Sequence, residues 1–305
     1  MRFSIVIPTH NEADDIVDTL EALLRLEYSD YEILIVDDSS DDTPQIIHGY
    51  PQVRYLRQTR GRGRAAARNE GILQTSGDVV VILNADVILP PDFLTRLVKH
   101  YRNGADYVLV ENRVLHTDRL LPRYMEAQHR LHYGPETRVE MNWTEGFSCR
   151  REAALHVGLF PEGEYVTLVA GEDGWFGENL QAQGFCKVVD RTLVAAHIAP
   201  SRLNEFYRQR VGRGHGSGQI WFVREGVSLA GLTARALQQA AQVCAALLFI
   251  FPVLYRGWRF AQHSPYGRRD WLLFSAVYSV ESIANAVGIL SSVLEIARVS
   301  RDRTL

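Results

Sequence analysis

The sequence predicts an α/β protein: a doubly wound, mostly parallel sheet in the first two-thirds of the chain, then an apolar helical region. Two observations carry the prediction. Residues 3–8, 32–36 and 78–83 are short β-branched runs without polar alternation, the composition of strands buried on both faces of a parallel sheet. Helical patterns separate these runs, and strands alternating with helices read as parallel strands joined by crossovers.

Each element has its own signal. The first strand, residues 3–8, turns polar too soon to be a signal peptide. Beyond it, Ile16, Leu20, Leu23 and Leu24 recur at helical spacing. The second strand, residues 32–36, leads to Asp41 and Asp42, which suit the cap of a short helix from Thr43 to Ile47. A weaker strand at 53–56 and a helix-forming stretch from Ala65 to Leu73 precede the strand at 78–83. No internal repeat or low-complexity linker interrupts the chain.

Composition narrows the function classes. The 305 residues carry 33 basic and 36 acidic side chains and are 46% hydrophobic, which is too apolar for disorder and too polar for a multi-pass membrane protein. The net charge of -3 hides an acidic front, residues 1–201, and a basic end, residues 202–305. A basic, apolar end suggests attraction to anionic lipid or phosphate, and the acidic front argues against nucleic acid as a partner. Cys149, Cys186 and Cys244 are widely spaced, without metal-binding spacing, as in a reduced cytosolic setting.

In a doubly wound sheet, ligands bind beyond the carboxyl ends of the strands. Three polar clusters fall there: Thr9 to Glu12, Asp37 to Asp42, and Asn84 with Asp86. A dinucleotide-binding sheet would need a glycine-rich turn after its first strand, where this chain has Pro8 to Glu12, and no glycine-rich loop ends in Lys followed by Ser or Thr. An acid ending the second strand can accept from a base or ribose, and one ending a later strand can hold a hard cation against phosphate. Together they suit a nucleoside diphosphate with Mg or Mn. Asp37 is expected at that ligand, with Asp41 and Asp42 left to capping; Asp86 alternatively serves the turn before Pro90 and Pro91.

Taken in order, Pro8 to Glu12, Val36 to Asp41, Ala67 to Gly71, Leu83 to Asp86 and Gly171 to Asp173 resemble the motifs of glycosyltransferase family 2, on the GT-A fold. The resemblance covers residues 1–200 or so. It implies that Pro8, Thr9, Asn11, Glu12, Asp37, Arg68 and Asn84 line the donor nucleotide, a UDP-sugar more often than a GDP-sugar. It implies a divalent metal, Mn or Mg, on Asp86. Asn84 stands where a first acid is usual, so the metal would rest on Asp86 and the diphosphate and bind more weakly. His197 falls where such folds often place a late metal-proximal histidine, although a lone His between apolar residues also reads as a hydrogen-bonded core residue. The resemblance makes Asp173, beside Glu172, the general base for an acceptor hydroxyl, with inversion at the anomeric carbon; capping of a helix starting near Trp175 would also explain the pair. Glu145 and Gly146 resemble the loop below the donor sugar.

The end of the chain reads as membrane-associated. Ala236 to Tyr255 lacks charge over 20 residues, and Trp271 to Leu294 is interrupted only by Glu281. A hairpin would leave Arg256, Arg259, Arg268 and Arg269 in its outer loop, against the positive-inside tendency, which favours helices lying in the membrane surface. A buried helical pair used in a homodimer is the third possibility. Before them, the glycine-rich stretch with Arg208, Arg210, Arg213 and His215 reads as a mobile loop closing over the diphosphate, or as a solvated linker.

The expectation is an inverting, metal-dependent transferase adding one sugar to a lipid-linked glycan or polyprenyl phosphate at the cytoplasmic membrane face. Its expected parts are a catalytic domain at 1–201, the basic loop or linker at 202–235, and the helical region at 236–305. The Gln-x-x-Arg-Trp pattern of processive synthases is absent. The rival readings are a sugar nucleotidyltransferase, whose glycine-rich start is missing, and a degenerate nucleotide-binding subunit, to which Asn84 alone points.

Overall fold

The computed structural model describes residues 1–59, 61–134, 136–137 and 141–302. They form two compact units. The first comprises Met1–Leu115, Met141–Glu162 and Glu172–Ile198. Its elements are β1 (Phe3–Thr9), α1 (Ile16–Leu24), β2 (Tyr31–Asp37), α2 (Thr43–His48), β3 (Arg54–Arg57), α3 (Gly63–Gln74) and β4 (Val79–Ile82). Next come β5 (Val87–Ile88), α4 (Phe93–Arg102) and β6 (Tyr107–Val114). In the second unit is α5 (Leu120–Tyr133). The chain then returns to the first for β7 (Ser148–Arg150), α6 (Arg151–His156), α7 (Glu172–Ala182) and β8 (Lys187–His197).

The eight strands make one sheet in the order β3-β2-β1-β4-β7-β6-β8-β5. Strands β3, β2, β1 and β4 run parallel, as do β6 and β8, while β7 and β5 are antiparallel to their neighbours. The expected strands thus appear within a residue or two, and so do α1, α2 and α3. Burial explains the sequence pattern: Ile5, Ile7, Ile33, Ile35, Val79 and Val81 pack under α1 and α4, while Val6, Val80 and Ile82 face the opposite layer. Gly71 lets α3 lie on β1, since a Cβ there would meet Val6 Cγ1 at 2.2 Å.

The second unit comprises His116–Glu140, Gly163–Gly171 and Ala199–Leu305. Besides α5 it holds α8 (Leu203–Val223), α9 (Leu229–Phe249), α10 (Phe251–Ala261), a 3₁₀ turn at Gly267–Asp270 and α11 (Trp271–Asp302). Two expectations are corrected here. The division at 201 fails because residues 116–140 and 163–171 belong with the C-terminal helices. The glycine-rich basic loop is the helix α8. Its glycines are small for contact rather than motion: a Cβ on Gly214 would meet Asn285 O at 2.1 Å, and one on Gly218 would meet Ser292 Oγ at 1.9 Å. On α11, Gly288 answers them, 2.1 Å from Val211 O by the same measure. Glycines spaced four apart on α8 therefore let two helix backbones close on each other.

The uncharged run from Ala236 to Tyr255 is not one straight helix. It breaks at Ile250, whose φ of 53° is left-handed, and α9 and α10 meet at 87°. The segment Gly267–Arg301 is long and apolar enough to cross a membrane, but 44% of its most apolar window is buried inside the protein. Glu281, the acid within that run, is paired: Arg210 Nε lies 3.1 Å from its Oε1, and Tyr124 Oη donates to Oε2 at 2.5 Å.

Candidate functional site

The carboxyl ends of β1, β2 and β3 carry a row fixed by register, since Thr9 pairs with Asp37 and Asp37 with Arg57. Asp37 is fully buried and fully engaged. Its Oδ1 accepts from Thr9 Oγ1 at 2.8 Å and from the Ser39 backbone N–H at 3.2 Å; its Oδ2 accepts from Tyr55 Oη at 2.9 Å and Arg57 Nη1 at 2.6 Å. Burial alone would raise its pKa, but the bonds from Ser39, Thr9 and Tyr55 hold the carboxyl below its ordinary range. Asp37 is therefore first an anchor for the loop floor, and the half-exposed Arg57 is its gate to solvent.

Asn11 sits at φ 59° and staples two loops, its Oδ1 accepting from the Ser40 N–H at 2.8 Å and the Asp41 N–H at 3.3 Å. Asp41 accepts from the Thr43 N–H and hydroxyl, whereas Asp42 makes no side-chain cap bond, so only one of the two expected caps acts through its carboxylate. Pro8 is the partly exposed residue of β1, between the buried Ile7 and Thr9. Glu12 follows, and burial, reinforced by the Asp86 carboxylate and opposed by Arg64, pushes its carboxyl up to about 8.

Beyond β4 the residues converge. From α3, the fully buried Arg68 donates Nη1 to Glu172 Oε1 at 2.9 Å and Nη2 to Asn84 Oδ1 at 3.3 Å. Asn84 in turn donates Nδ2 to Glu145 Oε2 at 2.9 Å. The Arg68 guanidinium lies over the rings of Trp143 (4.9 Å) and Phe160 (5.2 Å). Burial lowers its pKa, and Glu172 works against that. Next to Arg68, Asn69 pins the loop at 160 by donating to Phe160 O at 2.9 Å and accepting from its N–H at 2.8 Å.

Asp86 Oδ2 lies 3.0 Å from His197 Nε2, and register pairs Val87 with His197 in the β5–β8 ladder. Burial would raise the Asp86 carboxyl, but His197 and Arg64 keep it below its ordinary range. Its Oδ1 is buried without a hydrogen-bond partner. An orphaned carboxylate oxygen beside an imidazole fits a divalent cation. Among the described residues, no group of three His, Cys, Asp or Glu is placed to hold an ion unaided. Asn84 offers little, because its carbonyl is turned to Arg68. Asp173, partly exposed at the start of α7, accepts from the Gly174 N–H at 2.7 Å, while Glu172 beside it is sealed.

The other expected residues belong to the second unit. Arg208 and Arg213 are exposed on α8, Arg210 is buried on Glu281, and His215 bonds Ser291 (2.6 Å) and Glu295 (2.8 Å) of α11. Their inward members serve helix packing, so the diphosphate loop is withdrawn for Arg210 and His215. Sequence reasoning missed Arg57, Arg64 and the bond between Asn84 and Glu145. Arg57 was accessible had the weak strand been extended one residue, since it then falls opposite Asp37. Arg64, four residues before Arg68, has its charge reinforced by Glu172, Asp173, Glu145 and Asp86 against desolvation.

A mostly parallel sheet with carboxylates and a histidine gathered beyond β1, β2, β4 and β8 defines a GT-A fold of the kind that handles nucleotide sugars. Residues 4–162 match the family described as Glycosyl transferase family 2, and the chain belongs to it. Over 250 residues it is 29% identical to the glycosyltransferase AglE of Haloferax volcanii, covering 77% of this chain and 78% of that protein. It is 32% identical over 115 residues to a dolichol-phosphate mannosyltransferase of Pyrococcus furiosus, covering 36% of this chain and 32% of that protein. The match thus spans only about a third of the Pyrococcus relative. The fold is also that of the mannosyltransferase PcManGT from Pyrobaculum calidifontis, solved with GDP-Man and Mn2+. There the TM-score is 0.62 and the identity 22%, with 95% of this chain and 87% of that chain covered.

Proposed function

We propose that this chain is an inverting glycosyltransferase that moves one sugar from a nucleotide-diphosphate donor to a hydroxyl of a lipid-linked acceptor at the cytoplasmic membrane face. The carrying observation is the contrast within one pair: Glu172 is buried against Arg68, while Asp173 is partly exposed. The second oxygen of Glu172 is buried without a partner, and Asp173 is the one of the two that is open to an acceptor from solvent.

The acceptor oxygen attacks the anomeric carbon as the bond from that carbon to the diphosphate oxygen breaks. The hydroxyl proton passes to Asp173, and the nucleoside diphosphate departs with the bonding pair from the opposite face, so configuration inverts. Asp86 and His197 are the residues that would hold a divalent metal, which supplies positive charge to the leaving diphosphate. Thr9, Asn11, Glu12 and Asp37 form the loop floor on which the nucleoside would sit, with Arg57 able to turn from Asp37 toward it.

The apolar elbow between α9 and α10, with Arg256, Arg268 and Arg269 exposed nearby in sequence, supports lying in the membrane surface rather than spanning it. The Pyrococcus relative's name points to a lipid phosphate acceptor, and such an ionised oxygen would need no base. Release of nucleoside diphosphate from UDP- and GDP-sugars with Mn2+, with and without a polyprenyl-lipid fraction, tests both. Lipid-dependent release that collapses in Asp173→Asn supports the hydroxyl acceptor; lipid-dependent release that survives it supports the phosphate. No release from any donor would overturn the proposal.

A further inference from the structure

The helical unit carries a groove of about 610 Å³ between α9, α10 and α11, to which α5 adds Gln128 and His132. It arises from the course of α9. Of that helix's 21 residues only Leu232 and Ala236 are buried, so nothing beyond Ala236 is packed away. The chain then bends by 87°, and α10 returns to α11, where a Cβ on Gly257 would meet Ser275 Oγ at 2.1 Å. The groove is what lies between the departing and the returning helix.

Its lining is of two kinds. Val243, Ala246, Leu247, Pro252 and Val253 form an apolar wall, contiguous in sequence with the exposed elbow residues Leu248, Phe249 and Phe251. Gln239, Gln242, Asn285 and Arg256 bring polar side chains, and among the described residues none of the four has a side-chain hydrogen bond or ion pair. The one acid of the lining, Glu281, is already matched by Arg210 at 3.1 Å and accepts from Tyr124 and Gln128. Arg256 is therefore the uncompensated charge. A guanidinium with three amides is a set of donors for phosphate oxygens, and the wall beside it suits a hydrocarbon chain. The volume falls within the range of about 300–1,000 Å³ typical of sites that enclose a small molecule, so it holds a headgroup together with the first carbons behind it. We infer that this groove binds the isoprenyl phosphate end of the lipid-linked acceptor, with the phosphate on Arg256 and the amides and the chain leaving along the apolar wall toward the elbow. The inference rests on the reading of the acceptor as lipid-linked, and it places the lipid on named residues of the helical unit.

Calorimetric titration of the purified full-length chain with farnesyl phosphate, and with farnesol as the uncharged control, tests it. Arg256→Gln, at an exposed position, should weaken farnesyl phosphate by about tenfold to a hundredfold, the loss of a charge-assisted bond, and leave farnesol unchanged. Ala246→Phe fills the wall without touching a charge; it should weaken both ligands together, while co-sedimentation with phosphatidylglycerol vesicles, which the elbow supplies, stays as in the parent. Farnesyl phosphate affinity indifferent to both substitutions would overturn the inference. So would displacement of farnesyl phosphate by an equal concentration of dihexanoylphosphatidylglycerol, which would make the groove a site for bulk membrane lipid. Sugar transfer separates the two levels. Lipid-dependent transfer by the parent chain, with farnesyl phosphate binding that ignores both substitutions, refutes the groove alone, whereas transfer that needs no lipid removes the lipid-linked reading itself.

Discussion

Arg68 holds Glu172, 104 residues further along the chain, at 2.9 Å, with both side chains excluded from solvent. The first residue of α7 is thereby fixed to α3. Removing one member of such a pair leaves a buried charge uncompensated. Glu172→Gln is expected to cost about 3–5 kcal/mol in urea unfolding, whereas replacing both by Met should cost less. Equal losses in the single and double variants would show that the pair is no electrostatic unit.

Asp173 stands one position on and makes no such contact. Asp173→Asn should lower kcat by about 10²–10⁴-fold with its unfolding midpoint unchanged, because its one bond, from the Gly174 N–H, is kept by the amide oxygen. A drop in stability matching that of Glu172→Gln would argue that both acids are structural.

Glu12 sets a pH dependence. Its carboxyl titrates near 8 in the folded chain against an ordinary 4.5, because burial and Asp86 disfavour its charge, Asp15 and Asp41 add to that, and Arg64 opposes it. A raised carboxyl pKa means that the folded state binds the proton more tightly than the unfolded one. The cost is therefore absent below about 4.5, grows as pH rises, and is complete above about 8. Without metal, the denaturation midpoint should fall across that window, and Glu12→Gln should flatten the fall. An unchanged slope in Glu12→Gln would place the titration on another group.

The glycines of α8 separate a packed helix from a mobile loop. Gly214→Ala sets a Cβ 2.1 Å from Asn285 O, a backbone atom that cannot rotate away, and should destabilise by about 1–3 kcal/mol. Gly212→Ala meets nothing closer than Val169 Cγ1 at 3.7 Å and should stabilise by up to about 1 kcal/mol through helix propensity. A loop would leave thermal unfolding unmoved by either.

These glycines also mark where the sequence is silent. Unbroken apolar runs report local burial, which is why β1, β2 and β4 are legible within a residue or two. Glycine reports only that a side chain is absent, and the reason lies on α11, about 70 residues away in Asn285 and Ser292. The site divides the same way. Asp86 and Asp173 are legible because they end a strand and begin a helix. Arg57 and Glu145 matter through partners brought by strand register and by a turn at Gly146, and neither partner is a sequence neighbour. The charged residues of 208–215 misled because alternate positions on a helix point to opposite environments: Arg208 and Arg213 to solvent, Arg210 and His215 to protein.

The elbow between α9 and α10 exposes Leu248, Phe249 and Phe251 at 79%, 70% and 73% of their surfaces. Water-exposed apolar surface of this extent is costly unless covered, and on the proposed membrane-surface reading the cover is an anionic lipid surface, matched by the basic composition of the chain's end. Phe249→Asp with Phe251→Asp should abolish co-sedimentation with phosphatidylglycerol vesicles while leaving the helical circular dichroism intact. Replacing Arg256, Arg268 and Arg269 by Gln should weaken the same binding by about fivefold per residue at low salt, following roughly 1 kcal/mol for each cation near the surface, and by much less at high salt. Binding indifferent to both sets would mean that protein covers the elbow, and the apparent mass in detergent-free solution should then exceed that of one chain.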